Sequence, residues 1–140
     1  MFVARAANSG PASQRMYLNT NYSPGTSTAQ LTNMTADPGF PATVLSSAKI
    51  VVDVAGTINV TALMTLSSVS GGWTTTGYIY LNGAQIASGS RSTAGTIPLS
   101  ASAVAVNAGD LIDLRAVSQF ASTSTVASGS TSTYVEIDPA

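Results

Sequence analysis

The residues best able to do chemistry in this chain are two aspartates and a set of aromatics. Asp110 and Asp113 stand three apart. A carboxylate pair is what glycoside hydrolysis needs, with one group as acid and the other as base or nucleophile. Asp113 lies within Leu111-Ile112-Asp113-Leu114-Arg115-Ala116-Val117, which reads as a strand, and Asp110 stands just before it. Residues an odd number apart on a strand project to opposite faces, so the two cannot flank one sugar. Asp110 reads better as the cap of the Gly109 turn. Asp113 reads as an outward charge on the same face as Arg115, each pairing with neighbours across strands. The aromatics Trp73, Tyr78, Tyr80, Phe120 and Tyr134 fit a carbohydrate platform, ordinary packing or a seam between subunits. Tyr78 and Tyr80 share a strand face opposite Ile79 and Leu81. Trp73 follows Gly71-Gly72 in a loop, where an exposed indole is a contact hot spot.

Beyond these, the composition excludes more than it offers. The chain has 140 residues, no His and no Cys. There is therefore no Ser-His-Asp triad, no thiolate, no disulfide and no zinc or iron–sulfur centre built on cysteine. No cofactor is expected, and no enzymatic activity. The five basic residues, Arg5, Arg15, Lys49, Arg91 and Arg115, are scattered and form no phosphate-binding stripe, so nucleic acid is not an expected partner. The first twenty residues lack the pattern of a signal peptide. No run approaches the roughly 20 apolar residues of a transmembrane helix, so no membrane association is expected. The Asn-x-Ser/Thr triplets at Asn21, Asn33 and Asn59 then read as accidents of composition. Only 8% of residues are charged and 44% are hydrophobic, against about 25% charged in an ordinary domain. That balance forbids disorder and suits a surface covered in an assembly.

The elements that must carry these residues are strands, because the hydrophobic period is two. Ile58, Val60, Ala62, Met64 and Leu66 alternate with Thr57, Asn59, Thr61 and Thr65, with Leu63 the exception. This is a half-buried antiparallel strand. Further strands are read at residues 49–54, 75–81, 84–88, 96–100, 104–106, 111–117 and 133–138. Asn82-Gly83 is a two-residue hairpin turn, and Asn107-Ala108-Gly109-Asp110 is a second turn. Residues 89–95 read as a flexible stretch, and Pro98 marks an edge or a strand end. Residues 118–132 are a Ser/Thr-rich passage. In the first 45 residues, 1–7 and 15–21 are candidate strands among Pro/Gly loops. The chain is expected to be one all-β domain, with residues 1–45 an N-terminal arm and edge strands, and residues 46–140 the main body.

The strand order has a counterpart. Ile50-Val51-Val52-Asp53-Val54-Ala55-Gly56-Thr57-Ile58-Asn59-Val60 joins an apolar strand, an Ala-Gly turn and an alternating strand. Tyr78-Ile79-Tyr80-Leu81-Asn82-Gly83, Ala108-Gly109-Asp110-Leu111-Ile112-Asp113-Leu114 and Thr133-Tyr134-Val135-Glu136-Ile137 follow in turn. In this order and spacing, the segment from 49 to 137 resembles the jelly-roll domain of the tumour-necrosis-factor-like and complement globular-head superfamily. Phe2-Val3-Ala4-Arg5 is similar to that family's opening strand. Ile58 stands where the family has an aromatic, and residues 8–45 have no counterpart.

The resemblance implies an antiparallel jelly-roll β-sandwich that forms a TNF-like homotrimer, with flat inner sheets meeting along a threefold axis. It makes Tyr78, Tyr80, Phe120 and Tyr134 candidates for the trimer interface. Such jelly rolls occur on bacteriophage particles, and short Ala/Ser/Thr/Gly-rich, Cys-free chains of this kind resemble capsid decoration proteins. The expected function is then a minor capsid protein that binds the major capsid protein on the outer surface of the virion and stabilises the shell. It would be made in the bacterial cytoplasm. Phe2, Val3, Arg5, Met16, Tyr17 and Trp73 are the candidates for capsid contact. The alternative is the head of a tail fibre or spike, which binds a host receptor or glycan through Trp73 and the 89–95 loop.

Overall fold

The computed structural model describes residues 10–140. Phe2, Val3, Arg5 and the strand expected over residues 1–7 lie outside the described residues. Among those described, every regular element is a strand: β1 (Gln14–Leu18), β2 (Ala29–Gln30), β3 (Met34–Ala36), β4 (Leu45–Ser46), β5 (Lys49–Val51), β6 (Gly56–Val69), β7 (Thr75–Leu81), β8 (Ala84–Arg91), β9 (Gly95–Val106), β10 (Leu111–Ser118), β11 (Ser124–Val126) and β12 (Tyr134–Pro139). They form two antiparallel sheets. One runs β3-β1-β12-β6-β9, with β11 beside β12 on the same flank of β6. The other runs β4-β5-β10-β7-β8, with β2 beside β5 on the same flank of β10. This is the expected jelly-roll sandwich. We call the two layers the β6 sheet and the β10 sheet.

Alternation decides which side of each strand faces the core. On β6, Ile58, Val60, Ala62, Met64 and Leu66 are all buried, as their period predicts. Met16 and Leu18 of β1, Val135 and Ile137 of β12, and Ile97 and Leu99 of β9 join them. From the other layer come Ile50, Ile79, Ile112, Leu114 and Ala116. Some interior positions are polar, among them Gln14, Thr75, Ser118 and Ser124. Gln14 is fully buried, and its amide spans the seam between layers: Nε2 donates to the Val51 carbonyl at 2.8 Å, and Oε1 accepts from the Val44 N–H at 2.9 Å. The otherwise unpaired polar atoms at the β4–β5 edge are satisfied by a strand of the opposite sheet.

Turns form where the residue types demand. Asn82 and Gly83 take φ of +50° and +80°, the pair of positive values a type I′ hairpin requires. The Asn82 side chain accepts the Leu111 N–H at 2.9 Å. Asp110 Oδ2 accepts the Asn107 N–H at 2.8 Å, closing the second turn as expected.

Three local expectations change. Residues 89–95 are not a flexible stretch: β8 runs to Arg91 and β9 begins at Gly95, so only three residues turn. Arg91 Nε closes that turn by donating to the Thr93 and Ala94 carbonyls at 2.9 and 3.1 Å. The two short strands expected at 96–100 and 104–106 are one long β9. Its register shifts once, where Asn59 Oδ1 accepts the Ala103 N–H at 3.0 Å. β9 pairs with β6 alone, an edge position where Pro98 costs no ladder bond on a second side. Finally, Asp113 does not reach solvent. It lies on the outer face of the β10 sheet but is only 1% exposed. It pairs with Arg115 on its own strand, at 2.7 and 3.2 Å, rather than with a cross-strand partner. The guanidinium in turn stacks 4.1 Å from the Tyr80 ring centroid.

Gly89 shows why a glycine stands in a strand here. Gly77 and Gly89 are cross-strand partners facing the core. A Cβ on Gly89 would sit 3.0 Å from Ile97 Cγ2 and 3.1 Å from Leu99 Cδ2, and one on Gly77 would sit 3.0 Å from Met64 Cε. The pair forms a notch that receives the large side chains of the β6 sheet.

Two substitutions test this packing. Gly89→Ala is expected to destabilise the fold by about 1–3 kcal/mol through overpacking, read as a lower midpoint in urea denaturation. For the ion pair, Arg115→Met leaves a buried carboxylate unpaired and should cost about 3–5 kcal/mol. Asp113→Asn leaves a guanidinium whose side chain is 23% exposed, so that water can reach it, and should cost clearly less. Equal losses in the two variants would show that the pair is not what covers Asp113.

Candidate functional site: the outer face of the β6 sheet

The face of β6 turned away from the core carries Leu63, and the ladder lines up a row on either side of it. Tyr17 of β1 is the cross-strand partner of Tyr134 of β12, Tyr134 that of Leu63, and Leu63 that of Pro98 of β9. Four neighbouring strands thus place a row of two tyrosines, a leucine and a proline across the middle of one face. Tyrosine is among the residue types enriched at the centres of protein interfaces.

Most polar groups bordering this band have partners within the chain, although Arg15 Nε is buried without a hydrogen bond. Arg15 lies over Tyr134, its guanidinium 3.7 Å from the ring centroid. It donates to Glu136 Oε1 at 2.9 Å and to the Ser130 carbonyl at 2.6 Å, with Asp37 Oδ2 at 3.4 Å from Nε. Arg15 and Glu136 side chains are only 18% and 20% exposed. Burial and the neighbouring Asp138 push the Glu136 carboxyl above its usual value, and Arg15 opposes that shift. Ser13 donates to Asp138 Oδ1 at 2.7 Å, and Thr65 to the Ser132 carbonyl at 2.6 Å. Covering such a face with another chain therefore strands few polar groups, and few unmet partners are left to penalise burial.

The residues singled out from sequence are spread over three places. Tyr134 and Tyr17 meet on this face as direct partners, although the first was read as a trimer residue and the second as a capsid contact. Tyr78 and Tyr80 lie on the outer face of the β10 sheet, on the far side of the sandwich, with rings 6.0 Å apart at 85°. Phe120 is on neither sheet. It stacks on Trp73 at 4.3 Å where the β6–β7 and β10–β11 loops meet, and both rings are substantially exposed. Met16 is a correction: its side chain is fully buried in the core beside Leu18, so it cannot reach a second chain. Arg15, Leu63 and Pro98 were missed as site residues. The signal for Leu63 was present, since it is the one apolar residue on the polar side of β6.

Asp110 sits at a turn and Asp113 is occupied by Arg115, so the two carboxylates do not converge. Among the described residues no cluster of three or more Asp or Glu side chains is placed to hold a metal ion.

No protein-family model matches the chain, and no curated protein matches it in sequence. Solved structures do match in shape. The Eiger TNF of S. frugiperda superimposes with a TM-score of 0.74 at 12% identity, over 94% of this chain and 96% of that one. Murine APRIL at pH 8.0 superimposes with a TM-score of 0.68 at 11% identity, over 91% of this chain and 98% of that one. At such low identity the likeness is one of fold, and the fold is the TNF-like jelly roll.

Proposed function

We propose that the chain is a non-enzymatic structural protein that assembles as a homotrimer through the outer face of the β6 sheet. We propose further that the trimer decorates a bacteriophage capsid. The Tyr17–Tyr134–Leu63–Pro98 row carries the assembly reading: it sets two tyrosines, a leucine and a proline side by side on one sheet face, with the Arg15 guanidinium over Tyr134 paired to Glu136 within the chain. The TNF-like fold supports self-association of this kind. The decoration reading rests on composition and on the resemblance to phage jelly rolls. A short, Cys-free chain with 8% charged residues has little surface charge to desolvate against copies of itself or against a shell. The partner is then the major capsid protein, and the location is the exterior of the virion after synthesis in the bacterial cytoplasm. The mechanism is multivalent. A trimer offers three equivalent contacts to neighbouring capsid subunits, and linked weak contacts give an avidity that no single contact has.

Sedimentation tests the assembly. The protein at micromolar concentration is expected to sediment at three times the 14.1 kDa chain mass. Leu63→Arg, which puts a charge in the centre of the band, is expected to sediment as a folded monomer. A Leu63→Arg variant that stays trimeric would move the interface elsewhere. For the second half, co-sedimentation with capsids lacking the protein should show saturable binding, with no binding to host cells. Binding to cells or glycans with none to capsids would overturn decoration in favour of a tail fibre or spike head.

A further inference from the structure

The exposed Trp73–Phe120 pair has no part in the sheet-face assembly, yet it is held firmly. Gly71 has φ of +70°, and a Cβ there would lie 2.6 Å from Trp73 Nε1, so the indole rests directly on a backbone that only glycine can provide. The two loops are locked together beside the rings. Gln119 N–H donates to the Thr74 carbonyl at 3.1 Å, and Gln119 Oε1 accepts the Thr74 N–H at 2.7 Å. Thr74 Oγ1 also shares a hydrogen bond with Ser92 Oγ at 2.9 Å. Trp73 and Phe120 are 40% and 51% exposed, and large apolar rings held rigid in water mark a recognition surface.

The residues next to the two rings along the chain, Thr74 and Gln119, line an open cleft of about 410 Å³, together with Thr26, Thr76, Val117 and Ser118. This volume is within the range of small-ligand sites. Its walls carry hydroxyl and amide groups and not one charged side chain. From this we infer that the end of the sandwich formed by the β6–β7 and β10–β11 loops binds a neutral saccharide. A pyranose has an apolar C–H face that packs on an aromatic ring. Its equatorial hydroxyls exchange hydrogen bonds with side chains that both donate and accept, here the Thr26 and Thr76 hydroxyls, and accept from the amide nitrogen of Gln119. An uncharged cleft offers nothing to neutralise a phosphate, a sulfate or a uronic acid, which selects against anionic glycans.

Trp73 is the single tryptophan of the chain, so its fluorescence reports on this site. Titration with neutral oligosaccharides (glucose-, galactose- and N-acetylglucosamine-based hexamers) is expected to give a saturable change with at least one of them at millimolar concentration or below. Phe120→Ala and Thr76→Val, which keep the reporter, should weaken that binding by about tenfold, with thermal stability and sedimentation unchanged. Trp73→Ala, followed by saturation-transfer NMR on the sugar, should abolish it. No saturation with any neutral sugar, tighter binding of an anionic glycan or of a peptide, or full affinity in Phe120→Ala would each overturn the inference. Because the trimer is read separately by sedimentation, failure here is distinguishable from failure of the assembly.

Discussion

The structure hangs on the two-residue period of β6. This strand pairs with β9 on one flank and with β12 and β11 on the other, so its register is inherited by most of its sheet. With Ile58, Val60, Ala62, Met64 and Leu66 inward, the partner strands must present Ile97, Leu99, Val135 and Ile137 to the same interior. A slip of one residue would turn Asn59 and Thr61 into the core and expose every one of those side chains. The same choice fixes the other face. Once Val60 and Ala62 point in, Leu63 must point out, and its ladder partners Tyr134 and Pro98 follow. The core and the candidate interface are thus two consequences of one alternation.

A chain with so few charges must still place them, and it uses the same device twice. On the β6 sheet, Arg15 lies on Tyr134 and pairs with Glu136. On the β10 sheet, Arg115 lies on Tyr80 and pairs with Asp113. In each case an aromatic face takes the flat guanidinium, and a carboxylate on the same or the adjacent strand takes its N–H groups. The Arg115 charge is held all the more firmly in its ionised form by the Asp113 hydrogen bonds. The Arg115–Asp113 pair balances one charge with one, whereas around Arg15 the carboxylates of Asp37, Glu136 and Asp138 gather on a single cation. A low charge count is therefore compatible with an ordered surface, and what is exposed between the clusters is mostly Ser, Thr and Ala.

Local signals were legible in the sequence, while pairings between distant segments were not. The strands over 57–66, 75–81 and 111–117, the Asn82-Gly83 hairpin and the Asp110 turn all follow from alternation or from turn chemistry that acts over a few residues. That Tyr78 and Tyr80 share a face opposite Ile79 was equally readable. Which sheet they join was not, because it depends on β7 pairing with β10 rather than with β12. Asp113 was placed on the correct face but assigned to solvent, since alternation does not show a long neighbour such as Arg115 folding over it. Gly89 resembles a loop residue until Ile97 and Leu99 are seen filling the space where its side chain would be. Met16 was named as a capsid contact because it lies in the segment read as an N-terminal arm, whereas β1 is paired on both sides and turns Met16 into the core. Gln14 faces inward because it serves backbone atoms of the other sheet.

The same fold keeps the proposed assembly face apart from the proposed recognition site. Sheet faces are broad, flat and fixed by ladders, which suits a contact that must be reproduced in every copy. Loops at the strand ends vary without disturbing those ladders. Here β6 leaves its sheet at Val69, and the chain crosses to the other layer through Gly71, Gly72 and Trp73 before β7 begins at Thr75. The aromatic pair is thus carried at the end of the strand that also bears Leu63, but off its face. Three chains joined through the Leu63 row would repeat the Trp73–Phe120 pair three times about one axis. A neutral cleft of modest affinity gains most from such repetition, because each further contact is made at the high effective concentration set by the first. The proposed assembling face and the proposed site at the loops would therefore be complementary: the first would supply the multiplicity that makes the second useful.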